Sequence, residues 1–207
     1  MKFYLSSYKL GNKVKKLKEL VPKENKRTAY IPNALDFSDD LERRKKSEQC
    51  DIEELKELGL DVDIVDLRDY FGKKSKLERK ISEFGVIWVR GGNLFVLRQA
   101  MKLSGFDELL KKLTKKNDVL YGGYSAGICV LAPSLKGVEL MDDLNVRPYG
   151  KKLKIIWEGL GIIDYSIVPH YKSDHPESED ADKVVKYMED NKIPFKKLRD
   201  GEVIIIE

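Results

Sequence analysis

The chain has 207 residues, with 39 Lys and Arg against 35 Asp and Glu, a net charge of +4. That length builds one α/β domain, residues 1–207, with a full core. The charges alternate in sign along helical stretches, and Lys13, Lys15, Lys16 and Lys18 have no aromatic residues between them to stack bases, which argues against a nucleic-acid partner.

Apolar runs with strand character alternate with amphipathic helical patterns. Phe3 to Tyr8 reads as a strand, Lys13 to Val21 as a helix, and Thr28 to Pro32 as a second strand. A charged helix over Leu41 to Leu58 is closed by Gly59, and strands follow at Asp61 to Leu67 and Gly85 to Arg90. Helical patterns cover Asn93 to Leu103 and Phe106 to Lys116, broken at Ser104-Gly105. The run Asp118 to Gly122 reads as a buried strand, and Ile128 to Leu131 as the start of a helix. Pro133 to Glu158 is irregular and reads as a surface excursion. Ile162 to Pro169 is a further strand, Ser178 to Asn191 a helix, and Val203 to Ile206 a last strand. This alternation predicts a mostly parallel sheet with helices on both faces.

Cys50 and Cys129 are far apart and have no metal-ligand spacing, so a reduced, cytoplasmic protein is expected. No apolar run approaches the roughly 20 residues of a membrane helix. The strand-like start, Met1 to Leu5, shows no signal-peptide pattern.

Gly123-Tyr124-Ser125-Ala126-Gly127 stands between a strand and a helix. A G-x-S-x-G turn there holds a serine hydroxyl clear of the backbone, with glycines where side chains would strike a neighbouring element. Ser125 is the candidate nucleophile. It needs a base, and the chain has only two histidines, His170 and His175. His170 follows a strand and Pro169, whereas His175 lies in an exposed-looking polar loop, so His170 is preferred. Gly91-Gly92-Asn93 also follows a strand, and its amides, with that of Ala126, are placed to hold an oxyanion; Asn93 reads equally as a helix N-cap. Gly91, Asn93 and Tyr124 are candidate substrate-binding residues. For the acid that orients the base, spacing leaves Asp200, Glu139, Asp142, Asp143 and Asp174 all open.

Four segments together carry a resemblance. Arg90-Gly91-Gly92-Asn93-Leu94-Phe95, Gly123 to Gly127, Val168-Pro169-His170-Tyr171 and Leu198-Arg199-Asp200-Gly201 resemble, in order, the motifs of the peptidase E family of S51 serine peptidases, which includes aspartyl dipeptidases and cyanophycinases. The resemblance runs from about residue 85 onward; the earlier residues match only in pattern. It implies a three-layer α/β sandwich of the class I glutamine amidotransferase and flavodoxin type. It also implies a Ser125-His170-Asp200 triad, an oxyanion hole from Gly92 and Ala126, and no cofactor or metal. The implied activity is serine-type hydrolysis of small peptides through an acyl-enzyme, with a homodimer as a candidate assembly.

Two departures bear on specificity. Glu177 to Asp182 contains no arginine, where the aspartyl dipeptidases carry one for the substrate carboxylate. The chain also ends at Glu207, where those enzymes extend further. Strict Asp-X dipeptidase activity is therefore not expected. The alternative expectation is a catalytically weak binding or regulatory homologue with the same pocket.

Overall fold

The computed structural model describes residues 1–207. Its strands are β1 (Lys2–Ser6), β2 (Arg27–Ile31), β3 (Asp61–Ile64), β4 (Val86–Val89), β5 (Leu120–Tyr124), β6 (Ser166–Val168), β7 (Phe195–Lys197) and β8 (Val203–Ile206). The helices are α1 (Val14–Leu20), α2 (Leu41–Glu57), α3 (Lys74–Ile81), α4 (Leu94–Ser104), α5 (Phe106–Leu113), α6 (Ala126–Cys129) and α7 (Ser178–Asp190). Six strands form the central sheet in the order β3-β2-β4-β5-β1-β8. Only β8 is antiparallel, alongside β1.

Alternation along the strands builds two apolar layers. Phe3, Leu5, Ala29, Ile31, Ile87, Val89 and Tyr121 face α3, α4, α5 and α6. Tyr4, Tyr30, Val86, Trp88, Leu120 and Tyr124 face the other way, against Leu17 and Leu20 of α1 and Ile52 and Leu55 of α2. The result is the expected three-layer α/β sandwich, mostly parallel with helices on both faces.

Three features depart from the sequence reading. The stretch 162–169 forms a strand only over Ser166–Val168, and this strand lies outside the central sheet, pairing in parallel with β7. β7 itself, Phe195-Lys196-Lys197, has an exposed, basic pattern that does not read as a strand; its partner imposes its conformation. α3 has just two buried apolar residues, Leu77 and Ile81, spaced i, i+4 on a charged helix. α7 packs Ala181, Val184, Val185 and Met188 against Val168 as a separate small core. No helix is long and apolar enough to cross a membrane.

Candidate active site

Three neighbouring parallel strands bring the site together. β4 pairs with β5, Val89 opposite Gly123, and β5 pairs with β1, Tyr124 opposite Ser6. The residues just past their carboxyl ends, Gly91-Gly92, Ser125 and Ser7, are therefore adjacent at one sheet edge, where ligands of open α/β sheets bind. Ser125 adopts φ 49° and ψ −120°, a conformation that costs a side-chain-bearing residue about 1–3 kcal/mol. Its amide donates to Ser7 O (3.2 Å), which pins the turn to β1. The flanking glycines permit the close approach, because a Cβ on Gly123 or Gly127 would overlap the Val89 carbonyl oxygen.

Ser125, Gly92 and Ala126 line one pocket, together with Asp142, Glu177 and apolar side chains that include Leu94, Met141 and Val184. Gly92 has φ +138°, and a Cβ there would overlap the Ala34 carbonyl; its amide donates to no protein acceptor. The Ala126 amide is in the first turn of α6, where N–H groups have no intrahelical partner. The other sequence candidates do not line this pocket. Asn93 caps α4, its Oδ1 accepting from Val96 N (2.9 Å) and its Nδ2 donating to Asp143 O (3.0 Å). Tyr124 is buried in the α2 layer, where its hydroxyl donates to Asp51 Oδ2 (2.7 Å). Gly91 lies directly against Ser125, leaving no room for a side chain: a Cβ would stand 2.8 Å from that of the serine.

The histidine arrives from the small sheet. β6 and β7 run in parallel, Val168 opposite Lys197, and the pairing continues through Leu198 N to Val168 O (2.9 Å) and Tyr171 N to Leu198 O (3.0 Å). That continuation places His170 and Asp200 at the same end. His170 Nδ1 lies 2.8 Å from Asp200 Oδ1. Of the rival acids, Glu139 accepts from Gly137 N and Asp143 from Asn145 N, while Asp174 is exposed.

Ser7, which the sequence reading passes over, joins the parts. Its Oγ donates to Asp200 Oδ1 (2.8 Å) and accepts from His170 N (2.9 Å). His170 itself has φ 60°, a second strained backbone position beside Ser125. Ser125 Oγ makes no hydrogen bond to a protein group, and His170 Nε2 lies 3.7 Å from Glu177 Oε2.

His175 corrects the expectation of an exposed loop. It is half-buried, and its ring stacks on that of His170 with centroids 3.7 Å apart and planes 8° from parallel. His170, His175 and Glu177 each offer one metal-ligand atom, all within 4.8 Å of one another. Parallel rings, however, do not place one ion in both imidazole planes, as coordination through the ring nitrogens requires.

Burial dominates the electrostatics. It lowers the His170 pKa to about 4, helped by the charge of His175 and opposed by Asp200. It raises Asp142 to about 7, with the neighbouring Glu177 adding to the effect and the hydrogen bond from Leu94 N (2.8 Å) opposing it. It also raises Glu177. Cys129 is buried too, its thiol donating to Ile167 O (3.2 Å) and pushed far up in pKa, so it stays a protonated thiol.

A strained G-x-S-x-G turn at the carboxyl edge of a mostly parallel sheet, with a histidine–carboxylate pair near it, marks a three-layer α/β protein. The model of Peptidase family S51 matches residues 6–207, and the chain belongs to that family of peptidases. Among relatives, it is 28% identical over 186 residues to peptidase E of Streptomyces coelicolor, a match covering 87% of this chain and 68% of that protein. It is 29% identical over 127 residues to an uncharacterized peptidase of Pasteurella multocida, covering 61% of this chain and 58% of the relative. An uncharacterized peptidase of Listeria monocytogenes is 30% identical over 135 residues, covering 63% of this chain and 60% of its own length. The chain thus spans less than two thirds of the length of these last two relatives. The crystal structure of a candidate peptidase E protein from Listeria monocytogenes superposes with a TM-score of 0.75 at 25% identity, covering 99% of this chain and 93% of that one. A peptidase from an acI-B1 actinobacterium shares the fold, with a TM-score of 0.70 at 15% identity over 100% of this chain and 83% of that one.

Proposed function

We propose that the protein is a serine-type peptidase acting on small peptides through Ser125, His170 and Asp200. The observation that carries this reading is the 2.8 Å contact between His170 Nδ1 and Asp200 Oδ1 at the edge that presents the strained Ser125 turn. With its proton on Nδ1, the neutral imidazole leaves Nε2 free to take the Ser125 proton. The lowered His170 pKa keeps that lone pair available at neutral pH. Ser125 Oγ attacks the scissile carbonyl, and the Gly92 and Ala126 amides receive the developing oxyanion. The imidazolium then returns its proton to the leaving amine, and a water releases the acyl-enzyme by the same route. Asp142 and Glu177 in the pocket wall disfavour an aspartate side chain next to the scissile bond and suit an uncharged or cationic one.

A fluorophosphonate probe is expected to label the wild type and not Ser125→Ala, with slow labelling of His170→Ala. Robust labelling of Ser125→Ala refutes the assignment. A dipeptide panel of Asp-X, Ala-X and Lys-X then tests the pocket, with Asp-X expected to be the poorest substrate.

One observation favours a second reading, a binding or regulatory homologue with little turnover: Ser125 Oγ is not hydrogen-bonded to His170. Turnover of any dipeptide above the Ser125→Ala background rules that reading out.

A further inference from the structure

His175, which stacks on the ring of His170, has no part in the proposed mechanism. The His170 ring is anchored at one atom by Asp200, and one hydrogen bond leaves a ring free to tilt. The face of His175 removes that freedom at 3.7 Å and 8°. Tyr8 stands edge-on to both rings, 5.9 Å from His170 and 5.3 Å from His175.

His175 is itself held in place. Its Nδ1 accepts the Glu177 amide (3.2 Å), which puts the proton of the neutral ring on Nε2. Its carbonyl accepts from Ser178 N (3.0 Å). The loop before it is tied to the turn that carries the acid, because Ser173 Oγ accepts Asp200 N (2.8 Å) and Ser173 N donates to Ser178 Oγ (3.1 Å).

We propose that His175 is a positioning residue that acts through His170, fixing the plane of the base and opposing a second positive charge beside it. This inference rests on the reading of His170 as the base.

Two imidazolium rings stacked at this distance repel strongly, since little water separates them. The other groups facing the pair pull the opposite way or are neutral. Asp200 at Nδ1 and Glu177 near Nε2 favour a charged His170, Asp180 lies close enough to Glu177 to raise its pKa, and Tyr8 adds an uncharged edge. Burial and His175 outweigh them, in line with the lowered His170 pKa. The base therefore stays neutral into acid, and a positive charge on the stacked neighbour would oppose the imidazolium formed during attack.

The chain has only two histidines, so histidine-selective NMR of the full-length protein resolves each ring directly. The variants are His175→Phe, which keeps a stacked ring without charge, and His175→Ala, which removes both. In each, His170 is expected to titrate at higher pH, its proton affinity rising on the order of tenfold. The acid limb of kcat/KM is expected to move up with it. His175→Ala is further expected to lose about tenfold more kcat than His175→Phe, as the ring plane is freed. An unchanged His170 titration in both variants overturns the inference, whatever the activity. A shifted titration in a protein that cleaves no peptide overturns the hydrolase reading instead and leaves the coupled pair standing.

Discussion

Ser7 and Asp200 share a 2.8 Å hydrogen bond although they lie 193 positions apart in the chain. The serine hydroxyl that donates to the Asp200 carboxylate also accepts the backbone N–H of His170. Ser7, just past β1, thus supports both the Ser125 turn, through its carbonyl oxygen, and the histidine–aspartate pair, through its Oγ. Ser7→Ala is expected to leave the buried His170 amide without its partner. The cost should be about 1–3 kcal/mol in urea unfolding, with a fall in kcat of roughly tenfold.

In the proposed mechanism Asp200 orients His170 from the turn that leads into β8. Replacing it with asparagine keeps the size but allows the imidazole proton to move to Nε2, where the lone pair is needed. Steady-state kinetics of Asp200→Asn should show kcat reduced by roughly 10²–10⁴-fold with little change in KM. A loss confined to KM would place Asp200 in substrate binding instead.

Gly127 follows the elbow, where a Cβ would overlap the Val89 carbonyl. Both partners are backbone or Cβ atoms, so no flexible side-chain end can yield. Gly127→Ala is expected to destabilise the fold by about 1–3 kcal/mol, measured by denaturant midpoint at unchanged m-value.

Asp142 gives the stability a pH dependence of definite sign. Its folded pKa of about 7 lies above the ordinary 3.8, so between those values the folded chain holds a proton that the unfolded chain releases. The stabilisation is complete below the unfolded value and is lost as pH rises through about 7. Asp142→Asn keeps an oxygen for Leu94 N and never ionises. It should therefore raise stability relative to wild type at pH above 7, by about 1–3 kcal/mol, and make little difference near pH 4. Thermal melts at the two pH values check this.

Much of this architecture is legible from local pattern. The apolar runs of β1, β2, β4 and β5 are short and largely buried, so they read correctly, as do α2, α4 and α7. The elbow is legible because its chemistry is local: a strained turn needs small residues at fixed offsets. What escaped are elements held by partners. β7 is a strand because β6 lies beside it, and its two lysines hide that. Ser7 is one of many serines until the sheet places it against Asp200. His175 reads as a loop residue because stacking leaves no trace in spacing.

The sequence by itself determined the alternation of strands and helices, the Ser125 turn and a choice of two imidazoles, because each depends on neighbours a few residues away. Only the tertiary structure decided the other meetings: Ser7 with both His170 and Asp200, His175 over the His170 ring, and Asp142 in the pocket beside Ser125. Those pairings depend on strand order and register, which bring together residues up to 193 positions apart. Burial at those meeting points, not residue type, then sets the charge that each group carries.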